Sequence, residues 1–226
     1  MEDRQRPGDA SPDPMPDIKA FWKRYAEAFA APLHANQLLG AFTSNPNLTG
    51  AYAEAWVRTL VRTMVQSLCV STGGILRTTD ASSSKPVARR IPQTDLIFWD
   101  PTELPALFQT GEFALVHTQA ARAIIEVKRS AAKIADLQDQ LKEQRRRLLS
   151  EYRRNTLAVV ISHRASPFIG DVTPNWVTNV NLAEPPPVIR LLDSKSQPDT
   201  DGVFALIYFL SHVARIPQRG PLPRTI

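Results

Sequence analysis

Apolar side chains recur along the first third of the chain at spacings of three and four residues, which predicts helices. One helix is expected to begin at Asp17, and a second to cover about residues 51–68 after an N-cap at Thr49. One turn before the apolar stripe of the second helix lies Glu54, and an inward carboxylate there is costly unless it has a partner. The stripe itself consists of Val57, Leu60, Val61, Met64 and Leu68.

Short apolar runs farther along the chain predict strands. The unbroken run at residues 157–161 is typical of a strand that is covered on both faces. A serine-rich loop at residues 78–90 separates the first two strands. The predicted strands lie near residues 70–76, 92–99, 113–117, 123–128, 157–161 and 188–192.

Two further helices complete the pattern. A long helix is predicted over about residues 131–152, and an apolar helix over residues 203–216 with Thr200 or Asp201 as its cap. The predicted core order is helix, three strands, helix and strand, followed by a covering helix, and two of the six predicted strands are additional to this core. This order indicates an α/β fold in which helices flank a mixed sheet. We expect residues 1–16, which are polar and proline-rich, to form a disordered tail ahead of a single domain over residues 17–226.

Composition narrows the setting in which such a domain works. A chain of 226 residues can bury one substantial core, and a net charge of +5 permits a polyanionic partner without requiring one. The single cysteine, Cys69, excludes an internal disulfide framework and fits a reducing cytoplasm. No membrane partner is expected, because the strongest apolar run, residues 203–210, is too short to cross a bilayer.

Acidic residues interrupt two of the predicted strands. Asp95 lies within the strand near residues 92–99, and Glu126-Val127-Lys128 ends the strand near residues 123–128. Because strand side chains alternate, Glu126 and Lys128 must point to one face and Val127 to the other. Two carboxylates and a lysine at a sheet edge suit a divalent-metal hydrolase. The carboxylates are hard oxygen ligands, and the ammonium can orient water or offset charge on a phosphate.

Simpler explanations stand beside each of these residues. Glu126 and Lys128 could form a surface ion pair, and Asp95 could cap a turn. Glu54 could merely favour the dipole of its own helix. Asp100 is expected to be a turn residue. The four histidines lack metal-site spacing and are expected to be structural or exposed: His34, His117, His163 and His212.

The predicted order of helices and strands, with acidic residues at these positions, resembles the PD-(D/E)XK, or restriction-endonuclease-like, nuclease superfamily over roughly residues 50–162. Asp95 fits the first acidic position, although Thr94 rather than proline precedes it. The (D/E)-X-K tripeptide is matched by Glu126-Val127-Lys128, and Glu54 resembles the carboxylate that many members carry on the helix before the sheet. Three features also resemble an uncharacterised bacterial family of this fold: Gly50-Ala51-Tyr52-Ala53-Glu54, the basic serine-rich loop that leads into Gln93-Thr94-Asp95, and Ile124-Ile125-Glu126-Val127-Lys128.

The resemblance implies a restriction-endonuclease-like core and a metal-dependent DNA endonuclease, acting in defence against foreign DNA or in repair. Asp95, Glu126 and the Val127 carbonyl would bind Mg²⁺ or Mn²⁺. Lys128 would position water or stabilise charge, and Glu54 would bind the ion through water or hold a second one. The residues expected to contact DNA are Lys85, Arg89, Arg90 and Gln138, the last of which lies nearer the apolar stripe of its helix than Gln140.

Two other functions stay open. A module of the same fold could bind nucleic acid or protein without cutting, because a fold can be kept without its chemistry. A scaffold could instead dock a partner or a second copy through the C-terminal helix, whose apolar surface is either buried in the monomer or an interface. A basic run could likewise contact phosphates, or stabilise a helix C-terminus without any ligand: Lys142, Arg145, Arg146, Arg147, Arg153 and Arg154.

Overall fold

A long first helix leads into the domain. α1 covers Ile18–Phe42 and follows Asp17, whose carboxylate accepts a hydrogen bond from the Ala20 amide at 3.2 Å, as an N-cap does. The computed structural model describes residues 17–43, 45–77, 91–129, 134–162, 186–193 and 195–217. The predicted tail and three of the predicted DNA contacts lie outside the described residues, namely residues 1–16, Lys85, Arg89 and Arg90.

The second helix begins earlier than its apolar stripe predicts. α2 covers Pro46–Met64, and Thr49 lies inside its first turns. The N-cap is Asn45, whose side chain accepts a hydrogen bond from the Asn47 amide at 3.0 Å, while Pro46 is pre-organised for the first turn. The prediction of an N-cap at Thr49 is therefore wrong, because Asn45 and Pro46 are the stronger start signal.

Seven strands in the described part of the chain form one mixed sheet. In chain order they are β1 Cys69–Leu76, β2 Thr94–Trp99, β3 Phe108–Thr110, β4 Phe113–His117, β5 Ala121–Lys128, β6 Thr156–Ser162 and β7 Val188–Leu192. Across the sheet their order is β3-β4-β1-β2-β5-β6-β7. β2 is antiparallel to β1 and β5, whereas β6 is parallel to β5 and β7. Only β3 is not predicted, because its three residues are all exposed and show no apolar alternation.

Gly73 allows β1 to serve two neighbours. The first half of β1 pairs with β2 and the second half with β4, and the register shifts between Ser71 and Gly73. Gly73 has a φ of 144°, and a Cβ there would lie 1.9 Å from the Ala114 carbonyl oxygen, so glycine is required. Ile75 of β1 and Ala114 of β4 lie in one buried cluster with Ile97 of β2 and Ile124 of β5.

Helices cover both faces of the sheet. α1, α2 and the C-terminal helix α4, Thr200–Ala214, bury one face in a core that includes Leu96 and Ile125. The helix α3, Ile134–Arg145, packs on the opposite face against β6 residues such as Val160. β6 is therefore covered on both sides, as its unbroken apolar run predicts.

The helix after β5 is shorter than the predicted range 131–152. α3 ends at Arg145, and Ser150–Tyr152 forms a separate 3₁₀ turn. Between them, Leu148 is buried in the cluster that contains Ile97 and Ile124, and Arg147 donates a hydrogen bond to the Ile75 carbonyl at 2.9 Å. These tertiary contacts override the helical preference of the sequence.

α4 is capped one residue earlier than predicted and is mostly buried. Its N-cap is Asp199, not Thr200 or Asp201, because the Asp199 carboxylate accepts a hydrogen bond from the Gly202 amide at 3.1 Å. No helix within the described ranges is long and apolar enough to cross a bilayer. Burial within the monomer accounts for most of the apolar surface of α4: Val203, Ala205, Leu206, Phe209, Leu210 and Val213.

α4 packs so closely on β7 that Gly202 has no room for a side chain. A Cβ there would lie 1.7 Å from the Arg190 carbonyl oxygen. We expect Gly202→Ala to cost about 1–3 kcal/mol, and each kcal/mol to lower the melting temperature by about 2–4 °C. Gly50→Ala in α2 is the matched control, since a Cβ there meets nothing within 4 Å and alanine favours a helix. The melting temperatures are measured by circular dichroism. An equal fall in melting temperature for both variants would contradict the close packing at Gly202.

Candidate active site

Strands β2 and β5 bring the two predicted acidic residues together. Their antiparallel register pairs Leu96 with Ile125, and one step farther it places Asp95 opposite Glu126. The Val127 amide donates a hydrogen bond to Asp95 Oδ2 at 2.8 Å, which ties the Asp95 carboxylate to β5. Both carboxylates are buried, and Asp95 lies inside its strand rather than in a turn.

Lys128 completes the cluster at the end of β5. Its ammonium contacts Glu126 Oε1 and lies 3.7 Å from Asp95 Oδ2. Glu126 and Lys128 therefore share one face of β5, while Val127 packs in the core on the other face, as strand alternation predicts. The Lys128 side chain is 36% exposed and the Glu126 side chain 1%, so the ammonium lies between buried carboxylates and solvent.

Glu54 approaches the same cluster from α2. Its neighbour Ala53 is fully buried, and Glu54 itself is half-buried. Burial raises the pKa of Glu54 above its ordinary value, although the positive charges of Lys128 and Arg58 oppose the increase. The Glu126 charge also acts on Glu54. The structure therefore brings Glu54 to the edge of the cluster that Asp95 and Glu126 form.

Two glutamines of α3 hold Glu126. Gln140 Nε2 donates to Glu126 Oε1 at 2.7 Å, and Gln144 Nε2 donates to Glu126 Oε2 at 2.9 Å. Gln138, which the apolar stripe favours, instead donates to the Pro186 carbonyl at 3.3 Å and is not brought to the carboxylates. The signal that could have found the pair is their spacing, because residues i and i+4 share one helix face.

Burial and neighbouring charge set the proton affinities in the cluster. Burial, with the added repulsion of Glu126, raises the pKa of Asp95 from 3.8 to about 7, against the opposing effects of Lys128 and the Val127 amide. Burial alone would lower the pKa of Lys128, but the charges of Glu126 and Asp95 outweigh it and raise the pKa above its ordinary value. Lys128 is therefore an ammonium at neutral pH, suited to stabilise negative charge rather than to accept a proton.

The donor set fits a cation that keeps most of its water. Among the described residues, no group of three or more Asp, Glu, His or Cys side chains forms a ready ligand cage. Mg²⁺ needs none, because it retains several waters and commonly binds one or two carboxylates together with a phosphate. Asp95 and Glu126 are such a pair. Beside them, the buried Gln144 Oε1 has no hydrogen-bond partner within the described part of the chain, so it can accept a hydrogen bond from a water. The Val127 carbonyl and Glu54 stay predicted ligands.

A buried arginine near the cluster is not foreseen by the apolar pattern. Arg58, one turn after Glu54 on α2, is buried and forms an ion pair with Glu112 in the turn between β3 and β4. Arg62 contacts the same carboxylate at 2.7 Å and donates to the Val70 carbonyl at 2.9 Å. These contacts tie the β3–β4 hairpin to α2 beside Glu54. No local signal could have found them, because Glu112 is distant along the chain.

Asp100 is the turn residue that the sequence predicts, and it is also part of a buried charge cluster. Its Oδ1 accepts a hydrogen bond from the Thr102 amide at 2.9 Å. Its Oδ2 lies 3.8 Å from the guanidinium of Arg122, which is fully buried and also pairs with Glu103 at 3.2 Å. Arg122 lies near the start of β5, at the opposite end of the strand from Glu126, so this cluster supports the fold rather than the candidate site.

Comparisons with known proteins bear on the fold. No family model matches the chain, and no curated protein matches it at a significant level. The cAAA-bound form of NucC from E. coli MS115-1 superposes with a TM-score of 0.56 and 14% sequence identity, over 92% of this chain and 96% of that one. The cAAA-bound form of NucC from P. aeruginosa ATCC27853 also gives a TM-score of 0.56 and 14% identity, over 89% and 94% of the two chains.

At such identity the likeness shows the fold alone, and the fold of NucC is of the PD-(D/E)XK type. The chain has a restriction-endonuclease-like core. The α/β fold class expected from the sequence, a mixed sheet flanked by helices, is thereby confirmed.

The raised pKa of Asp95 predicts how stability depends on pH. Between about pH 4 and 7 the folded protein binds a proton that the unfolded chain has lost, so this residue lowers the free energy of unfolding progressively as pH rises through that window. Asp95→Asn removes the charge and keeps an acceptor for the Val127 amide. We expect the melting temperature of the variant to exceed that of the wild type increasingly from pH 4 to pH 7.

The control for this measurement is Asp139→Asn, which removes an exposed carboxylate paired with Lys142. It should leave the shape of the pH profile unchanged, because exposed pairs contribute about 1 kcal/mol or less. A fall in melting temperature for Asp95→Asn at every pH would show that the Asp95 carboxylate stabilises the fold instead.

Proposed function

We propose that this chain is a divalent-metal-dependent phosphodiesterase that cuts DNA. The observation that carries the proposal is the convergence of Asp95, Glu126 and Lys128 at one place on the sheet, with Glu54 beside them. The restriction-endonuclease-like core supports it, because the resemblance of these residues to the PD-(D/E)XK superfamily implies DNA cleavage there. The narrower resemblance to an uncharacterised bacterial family, and a role in defence or repair, belong to the same proposal.

The carboxylates are the proposed cation ligands. Asp95 and Glu126 would hold Mg²⁺ or Mn²⁺, together with the Val127 carbonyl. Glu54 would bind the ion through water or hold a second one. A divalent cation at this place supplies charge that polarises the scissile phosphate and lowers the pKa of water.

Lys128 would act directly on the substrate. Its side chain is partly exposed, so its ammonium can contact a phosphate that approaches the buried carboxylates from solvent. The neighbouring carboxylates keep it protonated, so it would offset the negative charge that develops in the transition state and orient the attacking water. It would not take the proton from that water.

DNA contacts would come from charge around this site. The net charge of +5 favours association with a polyanion. Lys85, Arg89 and Arg90 lie close in sequence to Asp95, and these stay the proposed phosphate contacts. Gln138 also stays a proposed contact, although its amide already donates to the Pro186 carbonyl.

The decisive test is cleavage of linear, circular and branched DNA by the full chain with Mg²⁺ or Mn²⁺. The two NucC structures described above are cAAA-bound forms, so each reaction is run with and without cAAA. Wild type should cut only with metal. Lys128→Ala should be slower by about 10²–10³-fold, the effect of removing one group that stabilises developing charge. Lys23→Ala is the control, because it removes an exposed lysine of α1 outside the candidate site and should cut like the wild type.

Other outcomes of this assay would change the assignment. Equal cutting by the wild type and Lys128→Ala would indicate a contaminating nuclease. If neither protein cuts and calorimetry detects no metal binding, a module that binds nucleic acid or protein on the same fold becomes the better assignment.

The two acidic neighbours of Lys128 should differ in their contribution to metal binding. Glu126 is buried and oriented by three side-chain donors, whereas Glu54 is half-buried on a helix. We expect Glu126→Gln to weaken Mn²⁺ binding more than Glu54→Gln does, as measured by calorimetry on folded proteins. The reverse order would make Glu54 the principal ligand.

A further inference from the structure

The side-chain amide of Gln144 is buried and joins two strands. Gln144 is 1% exposed, and its Nε2 donates both to Glu126 Oε2 at 2.9 Å and to the Gln93 carbonyl at 3.0 Å. Both partners can only accept, so the nitrogen must face them and the orientation of the amide is settled. Gln93 directly precedes β2, which carries Asp95, and Glu126 belongs to β5. One α3 side chain therefore links the two strands that carry the carboxylates.

The hydrogen bonds to Glu126 nearly exhaust its capacity. An ionised carboxylate has about four lone-pair sites. Lys128 and Gln140 both contact Oε1, and Gln144 contacts Oε2. One site is left, on Oε2, the oxygen that Gln144 orients. Glu126 can therefore offer a cation one lone pair from one oxygen, in a direction that Gln144 decides.

The same amide also carries an unused acceptor. Gln144 Oε1 is buried and has no hydrogen-bond partner within the described ranges. Leaving a buried amide oxygen without a donor costs about 1–3 kcal/mol, so some gain must offset it. The oxygen belongs to the amide that contacts Glu126, and a water that hydrates a cation beside Glu126 is a suitable donor.

We propose that Gln144 is a positioning residue of the metal centre, which holds Glu126 as a ligand through one Oε2 lone pair and accepts a hydrogen bond from a hydrating water. The inference rests on the proposed function and names a residue outside the acidic and lysine set. Gln140 contributes less, because it is exposed and donates only to Oε1, the oxygen that Lys128 also contacts.

Calorimetric titration with Mn²⁺ tests this role without depending on DNA cleavage. Gln144→Met keeps the side-chain volume and removes every polar contact, and Gln144→Asn keeps the amide but is too short to reach both partners. We expect each variant to bind Mn²⁺ about 10–100-fold more weakly, the usual effect of losing a residue that orients a metal ligand. Gln109→Met is the matched control, since it makes the same change at an exposed position of β3 outside the candidate site, and it should bind Mn²⁺ like the wild type.

Several outcomes would overturn the inference. The inference is overturned if either Gln144 variant has a native circular dichroism spectrum and binds Mn²⁺ as tightly as the wild type. It is also overturned if the wild type binds no Mn²⁺. If Gln144→Met does not fold, Gln144→Asn decides. A wild type that binds Mn²⁺ but cuts no DNA would defeat the proposed function and leave this inference standing on the variants' affinities.

Where the wild type cuts DNA, a kinetic readout separates positioning from a merely structural role. Gln144→Asn should lower kcat at limiting Mn²⁺. The kcat should return to the wild-type value as Mn²⁺ approaches saturation, and the KM for DNA should stay unchanged. A loss of kcat that saturating Mn²⁺ does not reverse would contradict the proposal.

Discussion

Burying two carboxylates opposite each other on neighbouring strands is the constraint around which the rest of the site is arranged. The antiparallel register of β2 and β5 brings Asp95 beside Glu126, and burial makes both charges costly. Every contact of the pair offsets that cost in part. Lys128 contributes a full positive charge, and the Val127 amide donates to Asp95. The two glutamines of α3 donate to Glu126. The residual cost remains as the raised pKa of Asp95, which a divalent cation would relieve.

The surrounding fold keeps this arrangement rigid from both faces of the sheet. α2 packs on one face and carries Glu54 to the site edge, while α3 packs on the other and carries the glutamines. Two close approaches that only glycine permits fix neighbouring elements: Gly73 of β1 lies against the Ala114 carbonyl of β4, and Gly202 of α4 lies against the Arg190 carbonyl of β7. The Arg58–Glu112 ion pair then ties the β3–β4 hairpin to α2 beside Glu54. Positions of the site side chains are therefore determined by packing that lies well outside the site.

The two ends of β5 show what distinguishes a structural charge from one available for chemistry. Arg122 near the start is fully buried, is paired with Asp100 and Glu103, and lies 4.7 Å from the Tyr152 ring centroid. Nothing can reach it. Lys128 at the other end has equally close carboxylate partners, but its side chain is 36% exposed. Solvent access at one end of a single strand, rather than the number of charges, marks where a substrate could bind.

Features that depend on local periodicity can be read directly from the order of residues. Strand alternation placed Glu126 and Lys128 on one face and Val127 on the other, and the unbroken apolar run of β6 indicated a strand buried on both sides. The order of helices and strands followed from spacing, so the fold class could be predicted. Helix starts were less secure where a better cap stood upstream, as at Asn45 and Asp199.

Which distant side chains meet depends instead on how the helices and strands pack together. The choice of Gln140 and Gln144 over Gln138 depends on how α3 is rotated against the sheet, and the link from Gln144 to Gln93 spans 51 residues. The Arg58–Glu112 pair and the buried position of Asp100 likewise depend on strand order. Periodicity specifies the face of an element but not its register or rotation against another. Those are set by packing among residues far apart in the chain, which no local pattern records.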